Sequence, residues 1–423
     1  MTRPIPPSRR TSRSVLAARL LSAGLLAAAA LVATAIPALA APPATPSVAP
    51  SPTEAARPTV MPPFADPPGR LGHCQPVTVP VTLPTGQAEH LTGHLCTPAH
   101  GAPTTIMLLA HGATYNSAYW SWPQDPALYS FVWQALAGGY AVLAIDRLGD
   151  GQSSHPDSTL DTFDAQAATL HQVVTAIRTG TTAIGWRFPH VIEIGHSFGS
   201  AEIAQQLTTY PHDADAVVLT GSGHAVSVET TTLTHTGFAP AAGLLPHRFA
   251  TTLDPGYQTT TTQAVRDQLL YNIHDSDPAV RAYDQSTCDT LALTESTTRP
   301  ANLIALTQTL GIPTLLLDGQ FDPHYCNGAQ AIPEANLDDC ATAATLYASE
   351  KPNYGTCFGA AIVPGSGHDL FTEYGAHTAA TLILRYAWRV LPPVAVTAQC
   401  TVTGAFPAAT PDKPTLHPTG TPS

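Results

Sequence analysis

The most restrictive feature of this sequence is an apolar run that leads straight into a glycine-rich turn. Residues 191–194 (VIEI) have the pattern of a strand, residues 195–199 form G-x-S-x-G, and a helical pattern follows. Glycine at both ends of the turn allows a sharp reversal in which larger side chains would collide. In this context the pattern predicts that the Ser197 hydroxyl projects from the carboxyl end of a sheet. A tight turn with an inert serine is the alternative.

Short apolar runs alternate with longer helical stretches along the chain, as in parallel βαβ units. The runs are continuous rather than alternating, which is typical of strands covered by helices on both faces. The strand candidates are residues 105–110, 141–145, 191–194, 216–219, 313–317 and 359–363. The helix candidates are residues 127–137, 161–179, 198–210, 329–349 and 376–390. We therefore predict an α/β fold with a mostly parallel sheet and helices on both of its faces.

The rhythm breaks between residues 219 and 313, where more than 90 residues separate two strand candidates. This is too long for a plain crossover and too patterned for disorder, because helical periodicity recurs near 262–273 and 300–310. The segment at about 224–311 is therefore predicted to be an inserted helical cap over the sheet.

The first 40 residues have the three-part organisation of a secretory signal peptide. Arginines precede an apolar run over residues 20–36, and the small residues 38–40 follow, so cleavage is expected after Ala40. A retained membrane anchor is the alternative. We expect a secreted protein without stable membrane insertion, and the sequence leaves open whether export uses the Sec or the twin-arginine route.

Proline-rich segments flank the central part of the chain. Residues 41–69 are rich in proline and alanine, and residues 404–423 are rich in proline and threonine. Such compositions cannot bury a core, which predicts a disordered linker and a disordered tail around a domain at 70–403.

Seven cysteines follow the leader, a number that favours disulfides in an exported protein. They are Cys74, Cys96, Cys288, Cys326, Cys340, Cys357 and Cys400. Two period-2 segments, 77–83 and 89–95, suggest a hairpin whose ends would bring Cys74 and Cys96 together. A bridge among Cys326, Cys340 and Cys357 would stiffen that region. Because seven is odd, at least one thiol is free or paired between chains. Without C-x-x-C or histidines at ligand spacing, no metal site is predicted.

The charge balance argues against nucleic acid or anionic lipid as partners. The chain has 18 basic and 30 acidic residues, and its net charge is −12. The leader holds five arginines and no acid, so its removal leaves 13 basic residues and a net charge of 13 − 30 = −17. Such a chain has no basic patch of the kind that those partners require.

An activated serine needs a base, and the base needs a group that orients it. His368 follows the last strand candidate in a glycine-rich loop, so it is the candidate base; a surface histidine is the alternative. Asp322 and Asp318 both lie at the carboxyl end of the preceding strand candidate, and we favour Asp322 as the acid. Asp369 is interpreted as a supporting or structural group. His196 lies too close to Ser197 in the chain to act as its base.

An oxyanion requires two donors aimed at one point. The backbone N–H of Phe198 is one candidate, and the N–H of Ala113 after the first parallel strand is the other, unless residues 111–112 are only a turn. Four aromatic residues follow and could line an apolar pocket or pack the core, two readings that the sequence leaves open. They are Tyr115, Tyr119, Trp120 and Trp122, of which the first three are the candidates for contact with the substrate.

Taken together, these motifs resemble α/β-hydrolase-fold serine hydrolases of the lipase and esterase type over residues 100–392. The resemblance is carried by His111-Gly112, Asp146-Arg147 with Gly149 and Gly151, residues 195–199, Gly319 with Asp322, and Gly367-His368. It implies that Ser197 is the nucleophile, Asp322 the acid and His368 the base, with Ala113 and Phe198 as oxyanion donors. It implies no metal or organic cofactor. His-Gly-Ala at 111–113 departs from the His-Gly-Gly-Gly of some esterases.

The function expected from the resemblance is hydrolysis of a small-molecule or lipid ester through an acyl-enzyme intermediate. Activity should then fall as His368 becomes protonated below about pH 6–7. An acyltransferase or thioesterase on the same triad is one alternative. A non-catalytic binding module on a hydrolase scaffold is the other. The sequence does not indicate an oligomeric state.

Overall fold

The computed structural model describes residues 63–407, with the exception of 182, 301–306, 330–333 and 396. The predicted signal peptide, most of the predicted linker and residues 408–423 of the predicted tail lie outside the described residues. Within the described part, every helix is too short or too polar to cross a membrane.

A mixed sheet organises the described part of the chain. Its strands are β1 (Gly72–Thr82), β2 (Ala88–Pro98), β3 (Thr105–Ala110), β4 (Ala141–Ile145), β5 (His190–His196), β6 (Ala216–Thr220), β10 (Thr314–Gly319), β11 (Phe358–Val363) and β12 (Gly404–Ala405). Their spatial order is β1-β2-β4-β3-β5-β6-β10-β11-β12. The β1–β2 and β2–β4 pairs are antiparallel, and all other pairs are parallel. This confirms the predicted mostly parallel sheet.

Burial along the strands explains why their sequences differ. Every residue of β3, β4, β6, β10 and β11 is buried, whereas β1 and β2 alternate between buried and more exposed residues. Central parallel strands face helices on both sides, but an antiparallel edge can face solvent on one side. Cys74 lies opposite Cys96 in the β1–β2 register, and the two form the predicted disulfide.

Helices cover both faces of the sheet and enclose two apolar cores. They are α1 (Pro126–Tyr129), α2 (Phe131–Ala137), α3 (Phe163–Thr179), α4 (Phe198–Thr209), α5 (Val228–Gly237), α6 (Ala241–Leu244), α7 (Gln263–Leu270), α8 (Pro278–Thr287), α9 (Leu293–Thr298), α10 (Ala343–Glu350) and α11 (Ala376–Val390). Helices α3, α4 and α10 contribute to one core, and α2 and α11 to the other.

The segment between β6 and β10 is not purely helical, contrary to the predicted cap. Besides α5 to α9 it contains a small antiparallel sheet of β7 (Phe238–Pro240), β8 (Tyr257–Thr260) and β9 (Leu291–Ala292). These strands are too short for a period-2 pattern to be recognised in the sequence. Phe249 and Tyr257 belong to a separate apolar cluster within this inserted segment.

Two helix predictions were too long. The 127–137 stretch is broken at Ser130, whose hydroxyl accepts the N–H of Trp133 and begins α2 as a cap. In the 329–349 stretch, only Ala343–Glu350 is helical among the described residues. A disulfide joins Cys326 to Cys340 ahead of this helix.

The predicted linker and tail both contribute to the folded part. Phe64 stacks on the ring of His94 at 3.9 Å between centroids, so residues 63–69 pack on the domain. At the other end, β12 pairs with β11 and the following Phe406 is buried. A third disulfide joins Cys357 to Cys400 and holds this end, while Cys288 is a buried free thiol.

Candidate active site

Ser197 stands at the junction of β5 and α4 in a strained backbone conformation. Its φ of 53° and ψ of −116° lie outside the regions that side chains usually permit. A Cβ on Gly195 would lie 2.5 Å from Cα of Ser200, and one on Gly199 would lie 2.5 Å from the carbonyl oxygen of Ala110. Glycine at both positions therefore makes this close turn possible, as the motif predicted.

His368 and Asp322 come together from the loops that follow β11 and β10. His368 Nδ1 lies 2.7 Å from Asp322 Oδ2, and both side chains are buried. The approach of the two loops depends on Gly319, where a Cβ would collide with the carbonyl oxygen of Gly367. The other ring nitrogen of His368, Nε2, has no hydrogen-bond partner among the described residues. Ser197 and His368 line the same cavity.

The two partners shift each other's pKa in opposite directions. Burial opposes ionisation of both groups. For His368, the charge of Asp322 and its hydrogen bond outweigh burial and raise the pKa above its usual value. For Asp322, the charge of His368 and the same hydrogen bond outweigh burial and lower the pKa. The pair is therefore suited to hold an imidazolium next to an ionised carboxylate.

Asp318, the other acid considered from the sequence, forms no hydrogen bond or ion pair with His368 in the described structure. Its Oδ1 accepts the backbone N–H of Ser222 at 2.9 Å. Burial, followed by the charge of Asp322, raises the pKa of Asp318 well above its usual value. The structure thus brings Asp322, and not Asp318, to the candidate base.

A second histidine–carboxylate pair lies beside the first. His196 Nε2 is 3.0 Å from Asp369 Oδ1, and His196 Nδ1 is 3.2 Å from Thr220 Oγ1. Burial, followed by the charge of His368, lowers the pKa of His196 well below its usual value. One potential metal-ligating atom from each of His196, His368 and Asp369 lies within 4.8 Å of the others, and His196 and Asp369 are already hydrogen-bonded to each other.

The two expected oxyanion donors also reach the cavity. Ala113 and Phe198 line it together with Ser197. Phe198 is the first residue of α4, so its N–H has no acceptor within the helix. The backbone of Thr114, next to Ala113, is in the left-handed region with a φ of 62°. Both residues therefore lie at the cavity where the sequence predicts the oxyanion donors.

Residues of the inserted segment hold Thr114 in this conformation, a feature that the sequence did not reveal. The N–H of Thr114 donates to the carbonyl of Thr290 at 2.9 Å, and its own carbonyl accepts the N–H of Asp289 at 2.7 Å. Arg266 donates from Nη1 to the Thr114 hydroxyl at 2.8 Å and forms two hydrogen bonds with Asp284. The insertion thus fixes the loop that carries the Ala113 amide.

The aromatic cluster divides between the cavity and the core. Tyr115 lines the cavity, and its hydroxyl lies within hydrogen-bond distance of the carboxyl groups of both Asp369 and Asp284. Tyr119 and Trp120 are fully buried and pack against Phe371, away from the cavity lining. Of the three aromatic residues proposed to bind substrate, the structure therefore brings only Tyr115 to the cavity.

Arg147, in the loop after β4, is bonded to acidic side chains of the protein itself. It is fully buried, and its guanidinium donates to Glu202 at 2.5 Å, Glu295 at 2.7 Å and Asp150 at 3.0 Å. Glu202 belongs to α4 and Glu295 to α9. The cluster therefore connects the helix that begins at Phe198 to the inserted segment.

Two cavities meet at Ser197. The smaller, of about 40 Å³, is mostly apolar and is lined by residues such as Leu269, Leu270 and Leu291. The larger, of about 410 Å³, is lined by residues of α5 and α9 and by Arg299, His224 and Tyr325 among others. His324 lines both cavities, and its ring centroid is 4.5 Å from that of His368. Burial lowers the pKa of His324 to about 3, so this ring is neutral.

Comparison with known proteins agrees with this architecture. The sequence profile of the alpha/beta hydrolase family matches residues 107–381, which is more than half of the chain. The chain belongs to this family, and the membership supports a hydrolase activity. The fold class expected from the sequence is thereby confirmed.

Individual relatives are distant. A thermophilic esterase from Thermogutta terrifontis, solved with malate bound, is similar with a TM-score of 0.51 and 16% identity, covering 74% of this chain and 97% of that one. A carboxylesterase from Bacillus subtilis gives a TM-score of 0.48 and 14% identity, covering 74% and 90%. A 1-acylglycerol-3-phosphate O-acyltransferase from Arabidopsis thaliana is 29% identical over 122 residues. This match spans 29% of this chain and 25% of that relative, a quarter of its length.

Proposed function

We propose that this protein is a serine hydrolase that cleaves carboxylic esters through an acyl-enzyme intermediate. Ser197 is the nucleophile, His368 the general base and Asp322 the group that orients His368. One observation carries the proposal: Nε2 of His368 has no hydrogen-bond partner among the described residues, while Nδ1 of the same ring is bonded to Asp322. His368 and Ser197 line the same cavity.

The proposed reaction follows from these positions. His368 Nε2 takes the proton of the Ser197 hydroxyl while the serine oxygen attacks the ester carbonyl. The negative oxygen of the tetrahedral intermediate accepts the N–H groups of Ala113 and Phe198. His368 then protonates the leaving alcohol, which leaves the acyl group on Ser197. A water molecule, deprotonated by His368, releases the acid and restores the serine.

Steady-state hydrolysis of 4-nitrophenyl esters of graded acyl length tests the proposal. We expect turnover by the folded protein and its loss in Ser197→Ala, with a thermal unfolding curve that matches the unmodified protein. Turnover that survives in Ser197→Ala would refute the assignment of the nucleophile.

Acyl transfer to an alcohol other than water is the second candidate, supported by the short match to an acyltransferase. It requires the same acyl-enzyme and differs only in the group that attacks it. Added glycerol or a short alcohol should leave the acid as the main product of a hydrolase. An ester that predominates at low alcohol concentration would favour the transferase.

We further propose that the protein acts outside the cytoplasm after cleavage near Ala40. Six of the seven cysteines form disulfides, which persist in oxidising compartments. Mass spectrometry of the protein recovered from the culture medium would give a mature N-terminus at Ala41. Recovery from the cytoplasm alone, with residue 1 or 2 at the N-terminus, would refute the proposal.

A further inference from the structure

The larger cavity contains an arginine without a carboxylate partner. Five other buried or half-buried arginines of the described chain form ion pairs, namely Arg147, Arg178, Arg248, Arg266 and Arg281. Arg385, also half-buried, donates instead to the carbonyl oxygen of Pro407 and lies over the ring of Phe406. Arg299 is half-buried, its Nε has no hydrogen-bond partner among the described residues, and its guanidinium carbon lies 6.0 Å from the ring centroid of Phe198. A cation is thus held next to the residue that follows the candidate nucleophile.

Arg299 shares a side-chain hydrogen bond with Tyr325, which is an uncharged group. The lining of the larger cavity includes no aspartate or glutamate among the described residues. The adjoining sequence 301–306 contains no acidic residue either. His224, another basic group in the lining, already bonds to Glu350 and to Thr307. Arg299 is therefore the group in this lining that is best able to pair with an anion from outside the protein.

Burial of a cation is costly unless an opposite charge pairs with it. A half-buried guanidinium in a cavity of about 410 Å³ gains most from a carboxylate or phosphate, whose oxygens match its planar set of N–H donors. The smaller, mostly apolar cavity, which Ser197 also lines, has no arginine or lysine in its described lining. The two cavities therefore differ in the kind of group that each can accept.

We propose that Arg299 binds a carboxylate or phosphate group of the substrate, so that the preferred esters carry a negative charge on the part that occupies the larger cavity. This inference rests on the proposed ester hydrolysis at Ser197. It makes Arg299 a specificity-determining residue that takes no part in the bond-breaking steps.

The test measures kcat/KM for matched esters with the full chain. One series carries the charge on the acyl part, as a 4-nitrophenyl monoester of a short dicarboxylic acid and its neutral methyl ester. The second carries it on the alcohol part, with a carboxylate or phosphate against a neutral analogue. A phosphate-bearing acyl ester completes the first series, so the measurements also show which anion is preferred.

We expect the unmodified protein to favour a charged ester by about tenfold or more in at least one series, the size of one charge-assisted hydrogen bond. Arg299→Gln should remove that preference by lowering kcat/KM for the charged ester about tenfold more than for its neutral analogue. Arg299→Lys should retain part of it. The exposed Arg187, which precedes the amino end of β5 at the opposite edge of the sheet, provides the control variant Arg187→Gln, with no change expected.

A measurement on the unmodified protein tests the inference without depending on whether the variants fold. Added salt screens charge pairs, so it should reduce kcat/KM for the preferred charged ester more than for its neutral analogue. The inference is overturned if the charged and neutral esters have equal kcat/KM in both series. It is also overturned if Arg299→Gln keeps the preference for the charged ester. If the inference fails in this way but neutral esters are still cleaved through Ser197, the proposed function is retained. Activity retained in Ser197→Ala would instead refute the proposed function itself.

Discussion

The His368–Asp322 pair and the His196–Asp369 pair lie side by side, with ring centroids 4.8 Å apart, yet their second ring nitrogens have different environments. Both pairs are buried, and their nitrogen–oxygen distances are 2.7 and 3.0 Å. The second nitrogen of His196 contacts Thr220, whereas that of His368 has no partner among the described residues. A carboxylate partner therefore does not distinguish a base from a structural histidine.

The choice of a candidate base therefore depends on whether the second ring nitrogen of the histidine is without a hydrogen-bond partner. A base must accept a proton from a reacting group, and His196 has no lone pair or N–H left for one in this arrangement. Its contacts instead connect β5 and β6 to the loop after β11, and Tyr119 stacks on its ring at 4.7 Å between centroids. This contrast supports the proposal that His368 transfers the proton and that His196 has a supporting role.

The largest expected effect separates the two histidines directly. His368→Ala should lower kcat for a 4-nitrophenyl ester by at least about 10⁴-fold, as expected for loss of a general base. His196→Gln should lower it by less than about 10²-fold, because the base and its carboxylate remain. Rates are compared only for variants whose unfolding temperatures agree with that of the unmodified protein. Equal losses in the two variants would contradict the distinction.

The two aspartates of the β10 loop should differ almost as much. Asp322→Asn removes the negative charge that orients His368 and should reduce kcat by about 10³- to 10⁴-fold. Asp318→Asn keeps an oxygen for the Ser222 N–H and should reduce kcat by less than about tenfold. Both are measured with saturating ester. A greater loss in Asp318→Asn would reassign the acid.

The pH dependence of kcat/KM should report His368. Only its neutral form can accept a proton, so the rate falls as pH drops through its pKa in the free protein. Because Asp322 raises that pKa, the midpoint is expected above about pH 6.5, the ordinary imidazole value. Asp322→Asn should move the midpoint of the residual activity to lower pH. A rate that stays constant down to pH 4 would exclude His368 as the base.

The smallest effect on rate is expected for Thr220→Val, which removes the contact with His196 Nδ1. Buried hydrogen-bonding groups then lose their partners, which should lower the free energy of unfolding by about 1–3 kcal/mol. Turnover should fall by less than about tenfold, since His368 and Asp322 are untouched. Urea unfolding and ester hydrolysis on the same samples check both values. A loss of rate without a loss of stability would place His196 in the reaction.

Much of the sheet and of the candidate triad could be predicted from the sequence. Continuous apolar runs marked the central strands to within about two residues, because their burial on both faces is encoded locally. The order of serine, acid and histidine along the chain indicated Asp322 and His368, since the carboxyl ends of parallel strands share one edge of the sheet.

Features that depend on distant pairs could not be predicted. His196 and Asp369 are 173 residues apart in sequence, so no local pattern indicates that they bond. The same holds for the backbone pairing of Thr114 with residues 289–290 and for the isolation of Arg299 in a cavity. The aromatic pattern did not indicate which rings reach the cavity, because core packing places Tyr119 against the ring of His196.

The most direct test of the central claim is labelling by a fluorophosphonate, which reacts with serines activated by a neighbouring base. Peptide mapping by mass spectrometry would locate the adduct in the unmodified protein and in Ser197→Ala, His368→Ala and His196→Gln. We predict a single adduct on Ser197 in the unmodified protein and in His196→Gln, with none in Ser197→Ala and strongly slowed labelling in His368→Ala. An adduct on another residue, or undiminished labelling in His368→Ala, would contradict the assignment of His368 as the base that activates Ser197.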